Sequence, residues 1–217
     1  MPRAFTIIEC EQGSPEWFAA RLGRVTGSRA NDMMATVKTK GEEAAKRRDL
    51  RVQLVCERLT NQCQEDQFVN ADMRRGTELE PAARRAYEAA TGELVLSTGF
   101  LSHDSLLCGS SLDGHIGDLD VILEFKVPRP ATHLRYLRGD GLPSEHRYQV
   151  LHNLFVSGAP AADFVSFCPA FPEPLQLFRV RVERVEHEMK AYEFLLRGFL
   201  AEIDKEVEAV KALIPAA

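Results

Sequence analysis

Charged side chains interrupt an otherwise apolar stretch of the chain, SLDGHIGDLDVILEFKVP, which covers residues 111–128. Glu124 and Lys126 lie two residues apart in a run of β-forming residues that follows the Asp113-Gly114 turn. A strand that served only to build a core would carry apolar residues there, because burying an unpaired charge is costly. The stretch is therefore the first place to look for chemistry.

Side chains alternate across a strand, so the residues of this strand divide into two faces. One face is wholly apolar and contains Val121, Leu123, Phe125 and Val127. The opposite face contains Asp120, Ile122, Glu124 and Lys126. We expect the apolar face to pack on the core and Glu124 and Lys126 to project together on the other side. Pairing with the preceding strand through a turn at 114–118 would place Asp113 beside Glu124.

Two carboxylates at such range repel each other unless a proton or a cation lies between them. Mg²⁺ takes one or two carboxylates together with water and substrate phosphate, so Asp113 and Glu124 predict a Mg²⁺ site in which Mn²⁺ could substitute. A bound metal polarises a phosphoryl oxygen, and Lys126 would orient or deprotonate the attacking water. The alternative is that Glu124 and Lys126 are ordinary exposed charges and that Asp113-Gly114 is only a hairpin turn.

Glu80 lies in a helical pattern, MRRGTELEPAARRAYEAATG, at residues 73–92. It shares a stripe with Gly76, Ala83 and Tyr87, and small residues on that stripe would let the helix approach the sheet closely. Glu80 is therefore a candidate for the same centre, although its spacing alone favours the alternative. The alternative is a surface ion pair between Glu80 and Arg84.

The order of the predicted elements indicates a mixed α/β fold in one domain that covers residues 1–217. A helical part at about 14–91 precedes a catalytic strand meander at about 93–128, and further helices with a strand pair fill about 130–217. The predicted helices cover residues 15–22, 27–35, 42–59, 71–90, 132–137, 144–156 and 184–213, and a loop covers 37–41. The predicted strands cover residues 93–96, 100–102, 106–112, 119–127, 164–167 and 175–182.

Composition narrows the choice of partner and compartment. The net charge is −5, which argues against a nucleic-acid partner, but phosphate affinity depends on local basic patches. Two such clusters exist, each with a solvated helix face as the alternative: Arg21, Arg24 and Arg29, then Lys38, Lys40, Lys46, Arg47, Arg48 and Arg51.

Five cysteines without a C-x-x-C pair indicate reduced thiols in the cytoplasm, with neither a zinc nor an iron–sulfur signature. Short apolar runs predict no membrane span, and the N-terminal residues do not read as a signal peptide.

Four blocks of the sequence together resemble one family of nucleases. GSPEWFAARLGRVTGS resembles the W-x-x-x-R-x-G-x-x-T-[AG]-S opening of the phage lambda-type alkaline exonucleases, the YqaJ-like viral recombinase nucleases. RRGTELEPAARRAYEAATG resembles their R-G-x-x-x-E-x-x-A-R block, and SLDG with LEFKVP resembles their variant of the PD-(D/E)xK core. EHRYQVLHNLFVSG resembles the helix that carries their Tyr/Gln motif. The blocks follow the family's order from about residue 12 to residue 158.

The resemblance implies a restriction-endonuclease-like core with a mixed central sheet flanked by helices. It also implies a metal-dependent exonuclease that degrades one strand of duplex DNA from its 5′ end, releases 5′-mononucleotides and leaves 3′ overhangs for recombination by strand annealing. A ring-shaped homotrimer, a single-strand DNA annealing protein as partner, and a phage or prophage protein in the bacterial cytoplasm are further implications. A RecB-like or Cas4-like nuclease and a non-catalytic DNA-end-binding module are the alternatives.

The resemblance also implies roles for individual residues. The metal ligands would be Asp113, Glu124, the Phe125 carbonyl and Glu80, with Lys126 serving the water and Gln149 orienting the general-base side. Arg21 and Ser28, assisted by Ser111, would bind the 5′-terminal phosphate. Asp104 matches a further family aspartate if one residue is dropped, and its rivals are Asp118 and Asp120.

The chain departs from the family pattern at three positions. Leu112 stands where the core motif usually has proline, which should alter strand curvature more than chemistry. Gly27 replaces the commoner alanine, which we expect to be a small change. His152 stands where tyrosine is frequent, so the role of that aromatic ring does not carry over.

Overall fold

The structure is a computed structural model that describes residues 4–37, 42–64 and 71–215, except for the side chain of Met73. Most of the predicted loop at 37–41, with Lys38 and Lys40, lies outside the described residues. The first half contains β1 (Phe5–Ile8), α1 (Pro15–Arg21), β2 (Val25–Thr26), α2 (Ala30–Met33), α3 (Ala45–Thr60) and α4 (Ala71–Thr91). The second half contains β3 (Phe100–His103), β4 (Cys108–Ser110), β5 (Gly114–Ile116), β6 (Val121–Lys126), α5 (Pro130–Leu137), α6 (Arg147–Ser157), β7 (Ala161–Phe167), β8 (Leu177–Glu183) and α7 (Glu186–Lys211).

The described strands form two four-stranded sheets, in the orders β1-β3-β4-β2 and β5-β6-β7-β8. Both sheets are mixed, because β2 pairs with β4 and β6 pairs with β7 in parallel, whereas the other pairs are antiparallel. Helices cover the sheets, and this arrangement confirms the predicted mixed α/β class. None of the helices in the described part of the chain is long and apolar enough to cross a lipid bilayer.

The predicted meander is wrong in its pairing. The segment predicted as the partner of β6 forms β4, which pairs with β3 and β2 in the other sheet. The residues predicted as a turn form β5, and β5 is the antiparallel neighbour of β6. Residues 93–96 make only one isolated bridge, between Leu96 and His115. Strands of two to four residues, such as β1, β2 and β5, carry too few positions to show a period of two.

Strand β6 is buried on both faces. Its apolar face, with Leu123 and Phe125, packs against Ala83 and Tyr87 of α4. The face predicted to project outwards is covered as well, because Ile122 joins the core that α6 contributes to through Leu154. Strands with a parallel neighbour are commonly buried in this way. Glu124 on β6 therefore lies inside the protein and must be compensated there, whereas Lys126 at the end of the strand stays partly exposed.

Gly76 does not bring α4 close to the sheet, although its position on the small-residue face of the helix predicted that it would. A Cβ added there would meet nothing within 4 Å, so the close approach of α4 to β6 rests on the fully buried Ala83. Gly109 in β4 is the opposite case, because an added Cβ would stand 2.3 Å from Cζ of Phe100 and 2.6 Å from the Leu101 carbonyl oxygen. Contacts that short require the backbone or the ring to move.

These two glycines predict stability changes of opposite sign. Gly76→Ala should stabilise the protein by about 0.5–1 kcal/mol, because alanine is the better helix former and its methyl group has room. Gly109→Ala should destabilise it by about 1–3 kcal/mol through overpacking. Thermal or urea unfolding of both variants beside wild type measures the difference. A Gly76→Ala protein less stable than wild type would contradict the packing described for α4.

Candidate active site

The register of β5 and β6 brings Asp113 beside Glu124. Gly114 lies opposite Leu123, so one step further along the two strands Asp113 comes opposite Glu124. The Asp113 carboxylate is held there, since its Oδ2 accepts a hydrogen bond from the Phe125 backbone N–H at 2.7 Å. The predicted juxtaposition is therefore present, although β5 rather than β4 produces it.

Glu124 is buried and both of its carboxylate oxygens are engaged. The side chain is 3% exposed, the Lys126 ammonium donates to Oε1, and the Asn153 amide donates to Oε2 at 3.1 Å. Lys126 keeps 30% of its side chain exposed. Glu124 and Lys126 thus meet on one face of β6 as predicted, but Glu124 lies in the interior and not on the surface.

Burial sets the acidity of this group of side chains. It raises the pKa of Glu124 to about 7, and the neighbouring Asp113 and Glu80 charges add to the effect while Lys126 opposes it. Burial also raises the pKa of Asp113. For Lys126 burial works against the charged form, but the Glu124 and Asp113 carboxylates outweigh it and raise the pKa of the ammonium. Lys126 therefore stays protonated at neutral pH and serves as a donor.

Glu80 approaches the same centre from α4. Its pKa is raised by burial and then by the Asp113 charge. Two arginines fix the helix on either side of Glu80: Arg75 donates to the Val127 carbonyl at 3.1 Å, and Arg84 donates to the Asp113 carbonyl at 2.6 Å. Arg84, for which the sequence left open a surface ion pair with Glu80, thus ties α4 to the backbone of the site.

Two adjoining cavities share Asp113 and Lys126. One, of about 520 Å³, is also lined by Glu80 and by the segment from Phe125 to Pro128. The other, of about 470 Å³, is lined by predicted site residues that include Arg21, Ser28, Ser111, Glu124 and Gln149. A larger cavity of about 680 Å³ between α2, α3 and α7 contains none of the predicted site residues. The carboxylates and the predicted phosphate binders therefore form one continuous site.

The phosphate side of the site is organised by α1. Ser14 caps this helix by accepting from the Trp17 backbone N–H, and Pro15 is its first residue. One helical turn apart, Trp17 and Arg21 stack, with Arg21 Cζ 4.0 Å from the centre of the indole ring. The Trp17 indole N–H donates to the Ser111 hydroxyl at 2.7 Å.

Arg21 is 7% exposed, and its guanidinium donates to the Ser28 hydroxyl at 3.5 Å. Packing against Trp17 holds this side chain in place. A guanidinium with a neighbouring hydroxyl is suited to bind a phosphate group, because the planar fork offers two parallel donors. The cavity can therefore bind an anion next to the buried carboxylates.

Three aspartates named from the sequence do not reach the site. Asp104 follows β3, is exposed, and accepts a hydrogen bond from the Thr6 hydroxyl at 2.9 Å. Asp118 and Asp120 lie in the exposed turn between β5 and β6, at the end of β6 opposite to Lys126. These three residues line neither cavity. Asp104 matches the family aspartate only if one residue is dropped from the alignment. In the structure it lies just beyond the end of β3, in the sheet that does not contain β6.

The sequence did not predict a role for His146 and Tyr136, which line the same cavity as Glu80. The Tyr136 hydroxyl lies 3.0 Å from His146 Nε2 and also donates to Glu145 at 3.0 Å. Burial, with Lys126 nearby, lowers the pKa of His146 to about 4, so its ring is neutral at pH 7. Tyr136 lies in α5 and His146 in the turn before α6, and these two segments meet only in the folded protein. In the sequence, only the motif block around Gln149 indicated that this part of the chain belongs to the site.

Two of the departures from the family pattern have plain structural roles. His152 is fully buried, with ring nitrogens 2.7 Å from the Tyr192 hydroxyl and 3.0 Å from the Gly109 carbonyl oxygen. Burial lowers its pKa to about 4, so it is a neutral bridge between α7 and β4. Leu112 is buried in the core just before Asp113. Neither residue lines the two site cavities.

The donor set fits a divalent metal through its chemistry. Asp113 and Glu124 are oxygen donors of the type that Mg²⁺ prefers, and their raised pKa values show that two negative charges are costly here without a compensating cation. In the described residues, no three His, Cys, Asp or Glu side chains already converge as a metal centre. Two carboxylates, with water and substrate oxygens completing the shell, are the usual composition of a Mg²⁺ site.

Comparisons with known proteins agree with the motif blocks. Residues 16–160 match the family model of the YqaJ-like viral recombinase domain. LHK-Exo in complex with dAMP is 38% identical with a TM-score of 0.82, over 92% of this chain and 97% of that chain. A second structure of this alkaline exonuclease, from Laribacter hongkongensis, is 36% identical with a TM-score of 0.82 over the same shares of the two chains.

A phage related exonuclease from Haemophilus somnus 129PT has a TM-score of 0.68 over 86% of this chain and 96% of that chain. Its identity of 11% shows a likeness of fold alone. Among curated proteins no match to the chain is found.

The raised pKa of Glu124 predicts a pH-dependent penalty on stability when divalent cations are absent. The folded-state pKa of about 7 lies above the ordinary value of 4.5 for a glutamate, so the folded protein binds this proton more tightly and loses stability as pH rises from about 4.5 to about 7. Glu124→Gln removes the penalty, which is on the order of 2–3 kcal/mol. In EDTA, the variant's melting temperature minus that of wild type should increase as pH rises from about 4.5 to about 7. Above pH 7 this difference should stay constant. A difference that stays constant from pH 5 to pH 8 would contradict the assignment.

Proposed function

Since this chain belongs to the YqaJ-like viral recombinase family, we propose that it is a Mg²⁺-dependent exonuclease that degrades one strand of duplex DNA from its 5′ end. One observation carries the proposal: Arg21 and the buried Glu124 line one cavity, Glu80 lines the adjoining cavity, and Asp113 and Lys126 line both. Cleavage and recognition of a terminal phosphate are therefore assigned to neighbouring parts of one site.

The proposed metal site consists of Asp113, Glu124, the Phe125 carbonyl and Glu80. Mg²⁺ would bind there, with Mn²⁺ as a substitute. When bound, such a metal polarises a phosphoryl oxygen and lowers the pKa of water. Its charge would also stabilise the ionised form of both carboxylates, whose pKa values are raised by burial and, for Glu124, by the Asp113 charge as well.

Lys126 and Gln149 act on the attacking water in this proposal. The Lys126 ammonium stays protonated beside Glu124, so it orients the water and does not remove a proton from it. Gln149 lines the cavity that contains Glu124 and offers an amide that can accept and donate at the same time. Both side chains would hold the water in line with the scissile phosphodiester.

Arg21, Ser28 and Ser111 would hold the 5′-terminal phosphate. Fixing the strand end there would leave a neighbouring phosphodiester to face the carboxylates, and cleavage would release 5′-mononucleotides and a 3′ single-strand overhang. The solved complex of LHK-Exo with dAMP, a mononucleotide, supports this choice of product. A purely DNA-binding module would not require Asp113, Glu124 and Lys126 to be retained together.

The wider setting follows from the family. We propose a ring-shaped homotrimer and a single-strand DNA annealing protein as partner, in phage recombination in the bacterial cytoplasm. An assembly of this kind would let a chain with a net charge of −5 hold DNA against a basic inner surface. RecB-like and Cas4-like nucleases are the alternative, and the scattered cysteines disfavour the Cas4-like case. Among the described residues Cys108 and Cys168 are buried while Cys56 and Cys63 are exposed.

End-labelled linear duplexes with either a 5′-phosphate or a 5′-hydroxyl test the proposal. With Mg²⁺ we expect mononucleotides released from the 5′ end, faster from the phosphorylated duplex, while closed circles stay intact. Arg21→Ala should remove most of the preference for the 5′-phosphate. Arg24→Ala is the matched control, because Arg24 is a neighbouring arginine that lines neither cavity.

Equal digestion in EDTA, or cutting of closed circles, would contradict the proposal. Release of label from the 3′ end first would reverse the polarity and remove the 5′-phosphate role of Arg21. An unchanged phosphate preference in Arg21→Ala would remove that role alone and leave the nuclease assignment standing.

Lys126→Ala tests the assignment of the water-orienting group. We expect cleavage to fall by at least about a hundredfold, because general acid–base and orienting groups typically contribute about 10²–10⁴-fold. Binding of a phosphorylated duplex end should change little, since Arg21 and Ser28 are untouched. Single-turnover cleavage and fluorescence anisotropy separate the two effects. A variant that cleaves normally, or one that is unfolded by circular dichroism, would favour a structural role for Lys126.

A further inference from the structure

Asn153 is a buried amide on α6 that the proposed chemistry does not use. It is 2% exposed, and its Oδ1 accepts a hydrogen bond from the Ser110 hydroxyl at 2.8 Å. Its Nδ2 donates to Glu124 Oε2 at 3.1 Å. The reverse orientation of the amide would point an acceptor oxygen at the carboxylate, so these two neighbours fix which way it faces.

Gly27 provides the space that this amide occupies. It begins a 3₁₀ turn, Gly27–Arg29, and an added Cβ would stand 2.3 Å from Asn153 Oδ1. Gly27 itself is buried, so neither partner can turn towards solvent to relieve the contact. An alanine here would have to displace the Asn153 amide, so we expect it to be a larger change in this chain than the family pattern alone predicts.

The two oxygens of Glu124 are held by different donors. Lys126 binds Oε1 through a charged group on the same strand, and Asn153 binds Oε2 through a neutral group on α6. A carboxylate gripped at both oxygens has one orientation, and its remaining lone pairs are left for other partners. Neighbours that orient a metal ligand in this way strengthen metal binding without touching the metal.

We propose that Gly27 and Asn153 form a coupled pair that positions Glu124 for a divalent cation. Gly27 leaves room for the amide, and the amide fixes the carboxylate. Asn153 is thus a positioning residue, since it acts through Glu124 and touches neither substrate nor metal. The inference rests on the proposed function for the identity of the cation, but the steric coupling of Gly27 with Asn153 is independent of it.

Thermal unfolding in EDTA tests the steric half of the proposal by a double-mutant cycle. Gly27→Ala should lower the melting temperature by about 4–8 °C in wild type, where the new methyl group overlaps the amide oxygen. In an Asn153→Ala background the same substitution should lower it by less than about 2 °C, because the overlapping atoms are gone. Equal losses in both backgrounds would overturn the coupling.

Calorimetric titration with Mg²⁺, and separately with Mn²⁺, tests the positioning half without DNA or catalysis. Asn153→Ala and Gly27→Ala should each bind about 10–100-fold more weakly than wild type. Asn153→Leu, which keeps the volume of the side chain, is a second variant in case the alanine protein folds poorly. Ser157→Ala is the control, because Ser157 is a buried donor on the same helix whose hydroxyl bonds the Asn153 backbone carbonyl and not Glu124.

Wild-type affinity in the folded Asn153 variants would overturn the inference while leaving the proposed function intact. No heat of binding for the wild-type protein itself would overturn both. If Ser157→Ala weakens cation binding as much as Asn153→Ala does, then the loss of any buried hydrogen bond on α6 has the same effect. That result would contradict the positioning role of Asn153.

Discussion

The structure depends on holding two carboxylates and one ammonium together where β5 pairs with β6, with Glu124 buried and Lys126 partly exposed. Asp113 and Glu124 face each other across β5 and β6, and burial raises the pKa of both, with the Asp113 charge adding to the effect on Glu124. Lys126 offsets only one of the two negative charges. Taking such charges out of water is unfavourable unless each is hydrogen bonded, so the surrounding elements are organised to supply those bonds.

The supporting bonds come from both sides of the sheet. On one side Arg84 of α4 binds the Asp113 carbonyl while Ala83 and Tyr87 pack on the apolar face of β6. On the other side Asn153 of α6 binds Glu124, and Ser110 of β4, in the sheet that does not contain β6, holds Asn153 in turn. The two sheets are thereby joined at the site. A charged centre held from every direction is preorganised, and preorganisation is what electrostatic catalysis requires.

The side of the site that contains Arg21 is built on the same principle. Arg21 is buried against Trp17, and Trp17 is tied to Ser111, which lies two residues before Asp113. The anion-binding cavity and the carboxylates thus share one short segment of chain. Arg21 and the carboxylates of Asp113 and Glu124 line one cavity, so a positive and a negative group face the same space there.

The sequence by itself determined what depends on short-range periodicity and on motif order. Alternation along a strand placed Glu124 and Lys126 on one face, helical spacing predicted α4 and the approach of Glu80, and the four ordered blocks identified the family, which the comparisons confirm. Only the tertiary structure decided that β5 pairs with β6, that Glu124 is buried, that Asp104 lies elsewhere, and that Arg84 and Asn153 support the site. The contacts of Arg84 and Asn153 join residues far apart in the chain, and contacts between distant segments leave no periodic trace in either one. The pairing of β5 with β6 is local, but β5 has only three residues, too few to show a period of two.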